Sequence, residues 1–470
     1  MSKQREAIEK SKRLGEEKIS KLLIQLSVPS IIGMLVMVLY NVVDTIFVSR
    51  FAGTMAMGGM AIVLPITMIV TTLGASIGPG GGSLLARFLG AEKYDQANKV
   101  LGNMIVLTAI FVIIPTIFGY LFATPLLKFF GASEALMPYA YDYFIVVFAG
   151  APIFGMAIML NNSVRSEGKA KTAMVTMLIS ALVNLILDPI FIINFNMGIK
   201  GAAWATVISQ ILALGYMVGF YFSGKSTVSV KPKYLRINIK TSKEIISLGA
   251  ATFARQGSTS ALYLVVNHAL LQYGGEISLA VFGILGRILM IATFPLFGLA
   301  QGLMPVAGYN LGAGKLNRVE ESLRLTTIAA TIFSTLIFLI LCFDPKMVLK
   351  LFSTDPQLLD MGASGLRMVA LALSLIGIQI IGSVFFQVIG KAGPALIMTL
   401  SRQLLFLAPL VWIMSRINGL DGIWEAFPIS DLLSVLLTLI FLIPEWKKLR
   451  AKNKNASMDT VSKDKLVASI

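Results

Sequence analysis

Two aspartates that lie inside apolar stretches are the residues of this sequence best placed to do chemistry. Asp44 and Asp188 each stand close to the end of a hydrophobic run that is long enough to cross a membrane. A charge held at such depth costs about 2.5–3.5 kcal/mol, which the fold must offset, and a carboxyl group there can take up and release a proton. We predict that these two acids bind protons, with Na+ as the alternative cation.

Polar side chains accompany both acids at helical spacing. Tyr40 precedes Asp44 by four residues, so the two share one helix face, with Asn41 on a neighbouring face. Asn184 precedes Asp188 by the same spacing. These companions indicate a functional cavity. The alternative interpretation is that the acids only cap or clamp the ends of their helices.

The elements that must hold these acids are membrane-spanning helices. Of the 470 residues, 56% are hydrophobic and only 14% are charged, whereas a soluble domain keeps about a quarter of its residues charged. Apolar stretches of about 20 residues, enough to cross a hydrocarbon core of about 30 Å, recur along the chain. The pattern predicts an all-α integral membrane protein with twelve transmembrane helices.

Basic residues are distributed unevenly between the predicted loops. Most of the 40 Lys and Arg residues fall in the two termini and in alternate loops, which is the positive-inside pattern. It predicts a multi-pass protein of the cell (inner) membrane whose termini are both cytoplasmic. Because topology accounts for the net charge of +16, nucleic acid is not expected as a partner.

The single cysteine, Cys342, and the single histidine, His268, limit the metal chemistry of the chain. They cannot form an internal disulfide or a Cys/His metal cluster. No metal site is therefore predicted apart from the alternative of Na+ at the two acids, and no cofactor is expected.

The two halves of the chain repeat each other at a nearly constant offset. Gly90 recurs as Gly312 and Gly168 recurs as Gly390, in each case with matching neighbours and 222 residues later. Each copy holds six predicted spans, an even number, so both copies insert in the same orientation, and such parallel repeats are a known transporter plan. The predicted segments are a cytoplasmic tail at 1–21, an N-lobe at 22–222, a cytoplasmic linker at 223–243, a C-lobe at 244–446 and a basic cytoplasmic tail at 447–470.

The second half lacks acids at the positions that match the two aspartates, where it has Val266 and Leu410. For its polar groups in or near spans, hydrogen bonding between packed helices is the favoured interpretation. These groups include Arg255, Gln256, Gln379, Arg402 and Gln403.

In their order, and together with the repeat, the motifs of this chain resemble the multidrug and toxic compound extrusion (MATE) family across 20–447. The matching segments are Ser83–Ala91, Asn161–Gly168, Asn184–Pro189, Gly198–Thr206 and Pro305–Ala313. The resemblance implies a V-shaped fold of two six-helix lobes that exports cationic, amphipathic compounds in exchange for H+ or Na+. The residues that it places in a first-lobe cavity beside the two acids are Tyr40, Asn161, Asn184 and Thr206.

From this resemblance we expect a secondary active multidrug antiporter, not an enzyme. We favour protons because helices seven and ten, which carry the cation-binding acids of another branch, offer Arg255, Gln256 and Gln379 here. The expected partners are small cationic or amphipathic drugs and the lipid bilayer, and the expected state is a monomer.

Three alternatives to this function remain open at this stage. They are a Na+-coupled drug antiporter, a lipid-linked precursor flippase of the same superfamily and an integral-membrane enzyme. A flippase favours a cavity dense in Arg and Lys, whereas the first lobe offers acids. One His and one Cys, without an HExxH motif, argue against an enzyme.

Overall fold

The computed structural model describes the backbone of residues 3–467 and, within that range, all side chains except those at 46, 49, 52, 54 and 453–467. This described part is helical and contains no β-strand. Helices are expected of a chain with such long apolar stretches, because a backbone in lipid must satisfy its hydrogen bonds internally. The α-helices are α1 (Lys3–Lys12), α2 (Ile19–Phe47), α3 (Thr54–Gly90), α4 (Tyr94–Leu121), α5 (Ala123–Phe129), α6 (Met137–Ser166), α7 (Ala170–Pro189), α8 (Ile199–Phe222), α9 (Ile239–Gly312), α10 (Leu316–Phe343), α11 (Pro345–Leu349), α12 (Pro356–Ala370), α13 (Leu373–Val388), α14 (Ala392–Leu400) and α15 (Ala408–Val467).

Within the described residues, nine helices are long and apolar enough to cross a membrane, or ten when the bent pair α12 and α13 counts as one span. Both α9 and α15 are interrupted by a glycine with non-helical torsion angles. These are Gly275 (φ 68°, ψ −166°) and Gly419 (φ 61°, ψ −131°), and glycine reaches such positive φ values without a Cβ clash. A multi-pass, all-α membrane protein is thereby confirmed, while the number of twelve spans stays a prediction.

The chain divides into two compact units. The first consists of Met1–Arg13 with Gln25–Phe253, and the second of Leu14–Ile24 with Ala254–Ile470. The lobe, linker and tail boundaries predicted from the sequence stay predictions, and each unit is described below by its own contacts.

A glycine lets two helices of the first unit pack closely. A Cβ at Gly59 in α3 would lie 2.8 Å from the backbone of Tyr139 and Ala140 in α6, so only a residue without a side chain fits there. Further along α6, the rings of Phe144 and Phe148 stack with their centroids 4.4 Å apart. The Gly59 contact holds α3 against α6, and the two rings belong to the apolar core that these helices share.

The connection that follows α8 is fastened to α4. The Asn103 Oδ1 accepts a hydrogen bond of 2.8 Å from the backbone N–H of Asn238. One residue earlier in α4, a Cβ at Gly102 would lie 2.1 Å from the carbonyl oxygen of Tyr234. The chain around Tyr234 therefore packs against α4 as part of the first unit and is not an unpacked linker.

The segment just before α2 is held by side chains of the second unit. The carbonyl oxygen of Leu14 accepts a hydrogen bond of 2.8 Å from the Asn310 amide, and that of Gly15 accepts one of 2.9 Å from Lys315 Nζ. Both donors lie near the junction of α9 and α10. These bonds explain why Leu14–Ile24 belongs to the second unit although it comes first in the chain.

Two π-helical turns follow the helices that carry the predicted acids. The turn Val48–Ala52 continues α2, and the turn Ile190–Asn194 continues α7 directly after Pro189. Proline has no N–H to donate, so Pro189 interrupts the hydrogen-bond pattern of the α-helix. The chain continues after it in the wider π-helical turn. The two π turns contact each other. They bring the ends of α2 and α7 together and so position Asp44 and Asp188.

Candidate ion-binding site

Asp44 near the end of α2 and Asp188 near the end of α7 lie together inside the first unit. Asp44 is 7% exposed and Asp188 is 1% exposed, and their carboxyl groups lie within hydrogen-bonding range of each other. Two ionised carboxylates at this range repel each other, whereas a pair that holds one proton can form a hydrogen bond. The arrangement is chemically suited to taking up and releasing a proton.

Three buried acceptor oxygens of the site have no hydrogen-bond partner among the described residues. They are Asp44 Oδ1, Asp188 Oδ2 and Asn184 Oδ1. Because buried polar atoms are normally satisfied, three such oxygens in one place mark a position that can receive a proton or a small cation. Oxygen ligands suit hard cations in general, so the same atoms could also bind Na+.

Metal-ligating side chains of other kinds do not gather here or elsewhere in the described part of the chain. No group of three or more His, Cys, Asp or Glu side chains within it could hold a metal ion. A cation at this site would therefore depend on two carboxylates and on neutral oxygens.

Asn184 connects the acid pair to α8. Its Nδ2 lies 3.4 Å from Asp188 Oδ1 and 3.4 Å from the hydroxyl oxygen of Thr206. Both distances are near the upper limit of a hydrogen bond. The structure thus brings Asn184, Thr206 and Asp188 together, as the sequence analysis expects, although their part in ion binding stays a prediction.

Two tyrosines lie close enough to the acid pair to interact with it electrostatically. Tyr40 is one turn before Asp44 on the same helix, and Tyr143 projects from α6. Tyr143 is 4% exposed, and the sequence analysis did not single it out. The only sequence signal was a tyrosine inside an apolar span, where its hydroxyl usually needs a partner.

The other two predicted cavity residues make their hydrogen bonds elsewhere. Asn161 is buried and donates to the carbonyl oxygen of Ala173 at 2.8 Å, which ties α6 to α7. Asn41 is exposed and donates to the carbonyl oxygen of Met37 in its own helix at 2.6 Å. The structure gives neither residue a hydrogen bond to the acids, and their predicted role in a cavity stays a prediction.

The second unit contains a buried acid that the sequence analysis did not single out. Asp431 in α15 accepts a hydrogen bond of 2.6 Å from Arg402 Nε, and the Asp431 side chain is 4% exposed. Its position inside an apolar span was the signal that could have revealed it. Because it is paired with an arginine, this acid differs in chemistry from the acid pair of the first unit.

Comparison with known proteins gives relatives that match nearly the whole chain. An FAD transporter from Shewanella oneidensis is 28% identical over 88% of this chain and 92% of its own length. The multidrug export protein MepA from Staphylococcus haemolyticus is 26% identical over 91% of this chain and 94% of its own length.

Solved structures agree with the fold. A crystal structure of a MATE protein in the straight conformation superposes with a TM-score of 0.88 at 27% identity, over 93% of this chain and 98% of that one. A multidrug resistance MATE family transporter in an outward-facing conformation gives a TM-score of 0.87 at 25% identity, with the same coverage. The resemblance stated from the motifs is thereby confirmed.

The family model described as MatE matches this chain twice, over residues 29–190 and 253–413. The two matches cover more than half of the chain and fall on the two copies of the internal repeat. The chain belongs to the MatE family and is a multi-pass membrane transporter, not an enzyme.

Proposed function

We propose that this protein is a secondary active exporter of cationic, amphipathic compounds that exchanges them for protons by alternating access. The observation that carries the proposal is the buried pair Asp44 and Asp188, whose carboxyl groups lie within hydrogen-bonding range. A pair that alternates between holding a proton and holding an organic cation couples the two movements, because both compete for the same negative charge. The relatives named multidrug export protein support the drug substrates.

The mechanism follows from the change in charge at the pair. When the acids take up protons, they no longer attract a cation, and the ends of α2 and α7 are free to repack around their π turns. When the protons leave on the cytoplasmic side, the negative charge returns and a new cation binds. Each charge that crosses the membrane field contributes about 2.3 kcal/mol per 100 mV, so one or two protons can drive useful accumulation of substrate.

The positive-inside pattern supports placing both termini in the cytoplasm and the protein in the cell (inner) membrane. In that orientation, Asp44 and Asp188 lie in the outer half of the first unit. Protons then enter the pair from outside, where their electrochemical potential is higher.

Na+ is the alternative coupling ion within the same proposal. The three unpartnered oxygens of Asp44, Asp188 and Asn184 offer the ligands that a small cation needs. The lipid-linked precursor flippase is less well supported, because such a substrate favours a cavity dense in Arg and Lys, whereas the first unit offers two buried acids.

A second candidate substrate class is the flavin nucleotides. The relative from Shewanella oneidensis is named an FAD transporter, and this chain carries a partly buried arginine in its second unit, Arg255, with which no described acid pairs. An arginine of that kind suits an anionic group, whereas the acid pair suits a cationic one.

The test is efflux of ethidium from proteoliposomes that contain the purified full chain. Proton coupling predicts efflux under an imposed pH gradient without Na+, and loss of that efflux in Asp44→Asn with normal insertion and folding. Efflux that needs a Na+ gradient and ignores the pH gradient would replace protons by Na+. Near-normal pH-driven efflux by Asp44→Asn would refute the assignment of the coupling site.

A further inference from the structure

Arg255 lies in the part of α9 that belongs to the second unit. Its guanidinium carbon lies 4.9 Å from the centroid of the Phe297 ring, which is a cation–π contact within the same unit. Among the described residues, no acid forms an ion pair with Arg255. The arginine therefore has an aromatic face on one side and no counter-charge.

Arg402, another partly buried arginine of this unit, does have a counter-charge. Arg402 donates from Nε to Asp431 Oδ1 at 2.6 Å, and the backbone carbonyl of Arg402 accepts a hydrogen bond of 2.7 Å from Ser430. An arginine that is partly withdrawn from water and only stabilises the helix bundle is expected to be paired in this way, since a charge left there without a partner is unfavourable. Arg255 lacks such a partner, so packing alone does not account for it.

Neutral polar groups lie one helical turn from Arg255 and from Phe297. Thr259, one turn along from Arg255, accepts a hydrogen bond of 2.9 Å from Gln403 Nε2. Gln301, one turn along from Phe297, has a buried Oε1 without a hydrogen-bond partner among the described residues. Because the oxygen and nitrogen of such an amide are assigned from the hydrogen-bond network, Gln301 can present a donor or an acceptor to a ligand.

The internal repeat shows that the space around Arg255 differs from its counterpart in the first unit. Position 255 lies 222 residues after Gly33, where a Cβ would be only 2.8 Å from the sulfur of Met177. The residue 222 positions after Met177 is Thr399, which is smaller. The first unit thus has a glycine packed against a methionine, whereas the matching repeat positions of the second unit hold an arginine and the smaller threonine.

We propose that Arg255, with Phe297 and Gln301 beside it, forms a subsite for an anionic oxygen group of the transported substrate, a phosphate or a carboxylate on an aromatic compound. The guanidinium offers a planar set of donors that binds such groups in a bidentate manner. Phe297 stacks on that plane and gives an aromatic ring a surface to lie against. The inference rests on the proposed export function and extends its substrates from cations to compounds that carry an acidic group.

Flavins supply matched probes, because riboflavin and FMN differ only by a phosphate. Isothermal titration calorimetry on the detergent-purified full chain should show FMN binding at least about tenfold more tightly than riboflavin, a ratio that corresponds to about 1.4 kcal/mol. Arg255→Gln should remove that preference and leave riboflavin binding unchanged, and Arg255→Lys should keep part of it. The control is Arg287→Gln, which removes an exposed arginine of α9 and should retain the full preference.

Norfloxacin, which carries a carboxylate, and inorganic phosphate distinguish the sources of the anionic group. Loss of norfloxacin affinity in Arg255→Gln assigns the subsite to carboxylates, loss of FMN affinity assigns it to phosphate esters, and competition by millimolar inorganic phosphate assigns it to free phosphate. Equal affinity of the wild type for FMN and riboflavin, together with unchanged norfloxacin binding in Arg255→Gln, would overturn the proposal. Failure of the export function is seen separately, as absence of ethidium efflux, because ethidium has no acidic group.

Discussion

Asp44 and Asp188 lie in helices that are far apart in the sequence, yet their buried carboxyl groups come within hydrogen-bonding range of each other. Each acid stands just before a π-helical turn, Val48–Ala52 or Ile190–Asn194, and these turns contact one another. Such turns are frequent at functional sites in helices. The pair therefore adjoins the π-helical turn at the end of each of its two helices.

The acid pair should act as one unit in transport. We expect Asp44→Asn and Asp188→Asn each to reduce pH-driven ethidium efflux as much as the double substitution does, because residues that act together are strongly non-additive. The expected loss is at least about a hundredfold, comparable to the effect of removing one oxyanion-hole hydrogen-bond donor from an enzyme. Initial efflux rates from proteoliposomes measure it.

An aspartate outside the pair provides the control for this prediction. Asp142 forms an ion pair of 3.0 Å with Lys200 and is 42% exposed, so Asp142→Asn should retain normal efflux. Losses that simply add in the double substitution of the acid pair would show that the two acids work independently.

Asn184 should matter for transport beyond its contribution to stability. Asn184→Leu removes the only amide that the described residues place beside Asp188, at 3.4 Å, and a hydrogen bond to a charged group is worth about 1.5–3 kcal/mol. We expect efflux to fall about tenfold, with thermal unfolding of the detergent-purified protein little changed. Efflux rates and unfolding curves on the same samples separate the two effects.

The matched control for Asn184 is a second hydrogen bond between α7 and α8. Gln210 donates to the hydroxyl of Ser180 at 2.9 Å, and neither residue has a described contact with the acids. Gln210→Leu should lower the free energy of unfolding by about 1 kcal/mol and leave efflux within about twofold of the wild type once corrected for folded protein. Equal losses of efflux in both variants would mean that Asn184 is only a packing residue.

Sequence patterns predicted the helices and the two acids because each has a strong local signal. Apolar stretches of bilayer length predict spans wherever they occur, and an acid in such a stretch stands out. The rotation of a helix about its axis has no such signal. Asn41 therefore could be assigned only to a face beside Asp44, and it proves to bond within its own helix at Met37.

Contacts between distant segments were the part that spacing could not predict. Tyr143 comes near the acid pair only because α6, which contacts α7, carries it there, and the pairing of Arg402 with Asp431 joins two helical segments of the second unit. Likewise, the charged N-terminal stretch had the composition of a solvated tail, whereas its carbonyl groups at Leu14 and Gly15 are bound by side chains of the second unit. Such pairs depend on packing that only the three-dimensional structure supplies.

The close contact between Gly102 and the Tyr234 carbonyl should be needed to hold the connection after α8. In Gly102→Ala the new Cβ would lie 2.1 Å from that oxygen, so the backbone must shift. Overpacking of this kind costs about 1–3 kcal/mol. We expect faster tryptic cleavage after Lys233 in the folded protein, which gel analysis and mass spectrometry of the fragments measure.

A glycine that lacks such neighbours serves as the control for Gly102. No heavy atom lies within 4 Å of a Cβ built at Gly215 in α8, and alanine favours a helix over glycine by up to about 1 kcal/mol. Gly215→Ala should therefore keep the wild-type cleavage rate or slow it. An unchanged rate in Gly102→Ala would show that the connection is held by its hydrogen bonds alone.

Breaking the ion pair of Arg402 and Asp431 should lower the free energy of unfolding strongly, whereas replacing both residues by leucine should change it little. Asp431→Leu leaves a largely buried guanidinium without its counter-charge, 2.6 Å from where the carboxylate stood, and breaking a buried pair in this way costs about 3–5 kcal/mol. The double variant Arg402→Leu with Asp431→Leu removes both charges, and hydrophobic replacements of whole pairs are often neutral. Thermal unfolding of the purified protein should therefore rank the double variant above the Asp431→Leu single variant. If the double variant is the least stable of the three, the pair contributes net stability, and its role in the second unit is that of a structural clamp.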